Sequence, residues 1–145
     1  MLHYHLDVRV DPEKKLVSGK NAIRFKMLSD DTRIQMDLWS NLNVDRIELA
    51  GRPLNYEREL NAVFIDFPET LKKGNTYTID FFYSGTPTQT GRFGGFTFGK
   101  DPQGRHWIFT ACEGEGASLW WPNKDQWHDE ADSMDISIAI PTDLT

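Results

Sequence analysis

YHLDVRV, residues 4–10, alternates apolar and polar side chains without a break. In an extended chain successive side chains point to opposite faces, so Tyr4, Leu6, Val8 and Val10 share one face and His5, Asp7 and Arg9 the other. A helix, with its 3.6-residue repeat, would scatter the same apolar set around its circumference. The stretch therefore predicts a strand with one buried face. Period two recurs in Ile23, Phe25 and Met27, in Ile34, Met36 and Leu38, and in Ile47 and Leu49. It returns in Val63, Ile65 and Phe67, and in Tyr77, Ile79, Phe81 and Tyr83. Turn residues separate these runs: Asp11-Pro12, Ala50-Gly51-Arg52-Pro53, and LKKGN at 71–75.

No window sustains the i, i+3, i+4, i+7 stripe of an amphipathic helix. Short strands spaced roughly eight to twelve residues apart predict an all-β fold. The expected architecture is a saddle-like β-sandwich, or curved antiparallel sheet assembly, with little helix. Ser84 to about Gly104 reads as a glycine-rich loop, and His106–Thr110 and Met134–Ile140 as the last two strands.

A chain of 145 residues is long enough for one domain with a real core. Nine Phe, five Trp and four Tyr supply the bulk for it. The net charge of −6, with no basic block, argues against nucleic acid or an anionic membrane as the main partner. Cys112 is the sole cysteine, so no internal disulfide forms. No run approaches the roughly 18 apolar residues of a membrane-spanning helix. Strand-like alternation occupies the sequence from its first residues to its last, and 1–145 is read as a single domain of a longer polypeptide.

The segment TACEGEGASLWWPNKDQWHDEAD, residues 110–132, differs from the rest in its density of glycine, tryptophan and acid. Asp129-Glu130-Ala131-Asp132 spells a helicase box, but no G-x-x-x-x-G-K-[ST] phosphate loop accompanies it, so a solvated acidic turn is the better reading. His128 and Glu130 mimic the start of a zinc-peptidase helix with the wrong spacing, and Asp132 stands where the second histidine belongs. His3 and His5 share a strand face but lack a third ligand. Gly114 and Gly116 lack the strand–turn–helix frame of a dinucleotide site.

Glu113 and Glu115 lie between glycines, on backbone that a ligand can approach closely. Three readings compete. As an acid–base pair they would need the roughly 5 to 9 Å separation of glycosidase carboxylates. As a fixed anion, one of them would hold an ammonium group by a charge-assisted hydrogen bond. As ordinary surface residues they would do neither. Trp39, Trp107, Trp120, Trp121 and Trp127 are either core and interface residues or, if exposed and coplanar, a carbohydrate platform. A stand-alone carbohydrate- or protein-binding β-sandwich is the alternative function.

CEGEGASLWWPNKD (112–125), followed by a strand ending Ile138-Ala139-Ile140-Pro141, resembles the close of the N-terminal domain of the gluzincin aminopeptidases. That is the family of aminopeptidase N and leukotriene hydrolase. The upstream order is similar too: Tyr4-His5-Leu6-Asp7-Val8, then Gly19 through Phe25, Ile34 to Leu38, and Tyr77 to Tyr83 leading into Ser84-Gly85. The pieces cover essentially the whole chain in order.

The resemblance implies a non-catalytic β domain that precedes a thermolysin-like catalytic domain of the same polypeptide. That second domain carries H-E-x-x-H, a distant glutamate ligand and a G-x-M-E-N loop, none of which occurs in this sequence. Zinc is thus expected in the parent enzyme and none in this chain, which alone should cleave nothing. The resemblance further implies that the turn lines the active-site cleft and binds the free α-amino group of a peptide substrate. Glu113 is the matching residue, flanked by Gly114 and Glu115. Family habit points to an exported or cell-envelope bacterial peptidase. The sequence departs from the pattern at Ala111, where many relatives have glutamine, at Ser118-Leu119 in place of an Ala-Arg-like pair, and at Gln126-Trp127-His128 in place of a proline after Asp125. These changes leave side-chain preference open and do not touch Glu113.

Overall fold

The computed structural model describes residues 1–91 and 93–142. Eleven strands follow one another, with no α-helix among the described residues. They are β1 His3–Asp11, β2 Leu16–Lys26, β3 Asp31–Asp37, β4 Leu42–Leu49 and β5 Arg52–Pro53. Then come β6 Asn55–Glu59, β7 Ala62–Leu71, β8 Thr76–Gly85, β9 Gly94–Lys100 and β10 His106–Cys112. A single 3-10 turn, Ala117–Leu119, precedes β11, Ser133–Ala139.

Six strands form one sheet in the order β11-β1-β2-β8-β4-β5, three form a second as β3-β7-β6, and β9 and β10 pair as a ribbon. The period-two runs become these strands because each buries one face. Leu6, Val8, Ile23, Ile79, Phe81 and Tyr83 from the large sheet join Met36, Val63, Ile65 and Phe67 from the small one in a continuous apolar core. Leu6, Ile23, Val63, Ile65, Ile79 and Phe81 are sealed from solvent. Fully burying a side chain of this kind stabilises by about 1.5–3 kcal/mol, so this double layer supplies the main driving force for folding. Tyr83 is sealed as well, and burial pushes its phenol pKa up.

Two expectations need correction. Gly94–Lys100 is a strand, antiparallel to β10 from Gly94↔Cys112 to Lys100↔His106, and not part of a loop. Its alternation of Phe96 and Phe98, whose rings lie 4.9 Å apart, is masked in the sequence by the surrounding glycines. The sheets are also not wholly antiparallel. β11 runs parallel to β1, in register Tyr4↔Met134, Leu6↔Ile136 and Val8↔Ile138. Side-chain periodicity is the same for either direction, and β11 returns to β1 after a long excursion that no hairpin constrains.

Arg58 on β6 fastens the two layers. Its guanidinium donates to the carbonyls of Leu38, Trp39 and Leu42, each at 2.6 Å. Leu38 and Trp39 lie in the corner between β3 and β4, and Leu42 opens β4, so one guanidinium ties the whole corner together. Burial of the guanidinium lowers its pKa. Arg58→Ala should cost about 2–3 kcal/mol, the scale of charged hydrogen bonds lost from partly buried acceptors. Urea denaturation measures this directly, and a loss near zero would contradict the fastening role.

On the surface, Arg33 of β3 pairs with Asp66 of β7 through Nε–Oδ1 at 2.6 Å and Nη2–Oδ2 at 3.0 Å. That hydrogen-bonded pair holds the Asp66 carboxyl below its usual range. The backbone N–H of Lys73 and the Lys72 ammonium do the same for Asp30. A carboxyl whose folded pKa is depressed stabilises the fold above its unfolded value, near 3.9, and loses that contribution as pH falls through the folded value. Stability should therefore decline with acid below about pH 4. Arg33→Gln should flatten that decline in a series of urea midpoints, whereas an unchanged slope would remove the pair from the explanation.

Candidate functional site

β10 ends at Cys112, and Glu113, Gly114 and Glu115 form the turn beyond it. The turn is pinned at both ends by backbone hydrogen bonds, Glu113 N to Phe93 O at 3.1 Å and Gly116 N to Cys112 O at 3.3 Å. Both glutamates are exposed. Neither carboxylate has a hydrogen-bond or ion-pair partner among the described residues. Glu115 leans towards β9, its carboxyl carbon 3.6 Å from the point where a Cβ on Gly94 would stand. The turn thus presents two unneutralised carboxylates on anchored backbone, which can accept hydrogen bonds from a cationic group.

Below the turn lies a lock made by Asp125. Its Oδ2 accepts from Ser118 Oγ at 2.7 Å, while its own N–H donates to Asp37 Oδ2 at 3.0 Å. Its carboxylate occupies the space beside Gly116, where a Cβ would lie 1.9 Å from Oδ2. Asp37 and Asn123 exchange backbone hydrogen bonds at 2.7 and 3.1 Å, and Trp39 N donates to Ser118 O at 2.9 Å. Asn21, fully buried on β2, reaches Pro122 O at 2.8 Å. The two neighbouring tryptophans are packed: Trp121 meets Tyr4 edge-on at 5.2 Å, and Trp120 meets Phe96 at 5.5 Å. Trp107 and Trp127 remain exposed, on β10 and on the loop before β11 respectively.

A cleft of about 430 Å³ opens beside the turn, lined by Gly114 and Gly116 with Tyr4, Lys124, Trp127 and Asp129 among its walls. Asp129 accepts hydrogen bonds from the Lys124 ammonium and the Met1 amine. Burial opposes its ionisation, but these bonds outweigh it and hold the carboxyl below its usual range. The acidic stretch 128–132 is therefore not simply a solvated connection, because Asp129 is the part-buried partner of two cations. Burial raises the Tyr4 phenol, whose oxygen accepts from Lys124 N at 3.2 Å. It also raises the Cys112 thiol, against a hydrogen bond from Trp120.

His3 bonds Ser133 Oγ at 2.8 Å through Nδ1, and His5 lies exposed beside Asp7. Among the described residues, no group of three or more His, Cys, Asp or Glu side chains is placed to hold a metal ion. Sequence reasoning gave Asp37 and Asp125 no role of their own and read Asp129 as part of a solvated acidic turn. Their roles arise from pairings across the fold, for which the local sequence carries no signal.

The family model of the Peptidase M1 N-terminal domain matches residues 1–145, and the chain belongs to that family. Its fold matches the M1 zinc metallopeptidase of Deinococcus radiodurans with a TM-score of 0.77 at 19% identity, covering 97% of this chain and 32% of that one. A two-domain M1 zinc metallopeptidase mutant bound to L-arginine aligns with a TM-score of 0.77 at 20% identity, again over 97% and 32%. Native yeast LTA4 hydrolase aligns with a TM-score of 0.76 at 19% identity, over 97% of this chain and 22% of that one. The chain thus spans about a third or less of these proteins' lengths. The comparison with curated proteins found no match.

The lock predicts different costs at the two glycines of the turn. Both have positive φ, +82° at Gly114 and +80° at Gly116, but only Gly116 is crowded, and its ψ of 167° lies in a region held almost solely by glycine. Gly114→Ala should cost about 1–2 kcal/mol, from backbone strain alone. Gly116→Ala should cost about 3 kcal/mol or more, because the new methyl also displaces Asp125 from its hydrogen bonds. Thermal or urea unfolding of the two variants compares them, and equal losses would refute the lock.

Proposed function

We propose that this chain is the N-terminal, non-catalytic domain of a zinc aminopeptidase, and that Glu113 anchors the free α-amino group of the peptide substrate. One observation carries the reading: an exposed glutamate, unpartnered among the described residues, on a backbone-pinned turn in a domain of the M1 N-terminal family. An exopeptidase must distinguish a free amino terminus from an internal peptide. A carboxylate at a fixed distance from the reacting bond does so by charge and position. The L-arginine bound to the two-domain relative is itself a ligand with a free α-amino group.

In this reading the zinc belongs to the thermolysin-like domain of the same polypeptide, and supplies there the Lewis acid and activated water of peptide hydrolysis. The contribution of the present residues is positional. Asp125 and Ser118 hold the base of the turn, and Glu113 projects from it to form part of one cleft wall. An exported or cell-envelope location is part of the same proposal. The alternative of a carbohydrate platform finds less support, since Trp120 and Trp121 are committed to packing against Phe96 and Tyr4.

The test uses the full-length protein. It should contain stoichiometric zinc and release amino-terminal residues from peptides. Glu113→Ala should lower kcat/KM on free-amino peptides by about 2–3 kcal/mol of transition-state binding, the scale of a charged hydrogen bond. An unaltered kcat/KM would end the anchor assignment.

A further inference from the structure

The large sheet carries a hollow on the face turned away from the core. In register, Ser137, Asp7, Lys20, Phe82 and Arg46 form one row across β11, β1, β2, β8 and β4. The hollow has a volume of about 680 Å³, and Arg9, Ser18 and Asp45 line it beside that row. Such a volume suits a small molecule rather than a single ion. A β-bulge shapes one wall. Val44 stands opposite Tyr83 and Arg46 opposite Phe82, so Asp45 is an extra residue on β4. Bulges re-aim the side chains around them. Here Asp45 accepts from Ser84 Oγ at 2.9 Å, and the Arg46 guanidinium carbon lies 3.4 Å from the centre of the Phe82 ring. Glu48 holds that guanidinium through Nε at 2.8 Å, and Asp80 holds the Lys20 ammonium at 3.2 Å. Both of these acids lie outside the hollow, so each cation is steadied from the side and keeps further N–H donors for a ligand. Arg9 has no hydrogen-bond or ion-pair partner among the described residues.

We propose that this hollow binds a neutral oligosaccharide. The assignment concerns a surface other than the Glu113 turn and does not rest on the reading above. Its carrying observation is the mixture of fixed donors and acceptors: Arg9, Lys20 and Arg46 line the hollow together with the carboxylates of Asp7 and Asp45. An anion would face the two carboxylates, and a cation the guanidinium and ammonium groups. An apolar ligand would strip water from all five charges without replacing it. A neutral polyol meets none of these penalties. Each of its hydroxyls both donates and accepts, so it can take N–H donors from Arg9 and Lys20 and offer its own O–H to Asp7. Ser18 and Ser137 serve in either sense. A peptide strand is a poorer match, because the sheet already uses the backbone groups by which such a strand is captured, and the hollow presents side chains. Arg46, held between Phe82 and Glu48, has little freedom left to lose on binding.

Saturation-transfer NMR on the full-length protein, with maltotriose, cellotriose, xylotriose and mannotriose as probes, tests the proposal. At least one trisaccharide should receive saturation, with millimolar affinity because the hollow is open to solvent. Arg9→Gln and Asp7→Asn should each weaken that binding several-fold, one by removing donors and the other by removing an anionic acceptor. Both side chains are exposed, so the unfolding midpoint should stay where it is. Raising the salt should leave the affinity unaltered, since a neutral ligand has no charge to screen. Absence of saturation in all four probes would overturn the proposal. So would saturation that persists undiminished in both variants, which would put the sugar elsewhere. A gain in affinity on Asp7→Asn, or a steep loss with salt, would reject a neutral ligand and make the hollow an anion site.

Discussion

Asp37 and Asn123 exchange both of their backbone hydrogen bonds, and this small antiparallel bridge joins parts of the chain that are otherwise remote. On one side it continues β3, and through β7 the whole three-stranded sheet. On the other it holds the segment that carries Trp121, Pro122 and Asp125. The Asp37 carboxylate extends the bridge by two residues, receiving Asp125 N, while Gln35 donates to its other oxygen at 2.9 Å. Removing the bridge would take away the Asp37 carboxylate on which Asp125 rests, and with it one support of the residue that fills the space beside Gly116. The chemistry of the turn therefore depends on a contact that contains none of its own residues.

The strands that were legible in the sequence are those with one face in water and one in the core. β1, β7 and β8 alternate visibly because Leu6, Val63, Ile65 and Phe81 are sealed while their neighbours are not. β9 was hidden, because its glycines outweighed Phe96 and Phe98 in a local reading. β6, with the sequence NYERE, carries almost no apolar pattern, since only Arg58 is even partly buried. The direction of β11 could not be read at all, as periodicity is blind to it. At the site, the glycine-flanked glutamates stood out from composition alone, whereas the Asp125–Asp37 lock spans 88 positions and leaves no local trace. The tryptophan pair was legible only as a choice between core and platform. The Tyr4–Trp121 and Trp120–Phe96 contacts favour the core.

Charge is distributed unevenly in its consequences. Pairs such as Lys20–Asp80 and Lys72–Asp30 lie on the open faces, where water and salt screen them and leave such bonds worth little. Arg58 is different: its partners are backbone carbonyls at a corner of the core, and no solvent replaces it there. Glu113 and Glu115 are different again. No cationic side chain among the described residues is hydrogen-bonded or ion-paired with them, so they remain open to an external one.

The parallel pairing of β1 with β11 carries a kinetic meaning. His3 lies opposite Ser133, and their side chains bond across 130 positions of sequence. β1 therefore gains this neighbour only after every strand between the two in sequence has been made. At translation speeds of about 5–20 residues per second, β1 waits several seconds with one edge bare. Closing so long a loop costs entropy before the contact returns any, and topologies rich in such distant pairings fold slowly. During that interval the β1–β2 hairpin, with Leu6, Val8 and Ile23 still uncovered, is the species a nascent-chain chaperone would encounter.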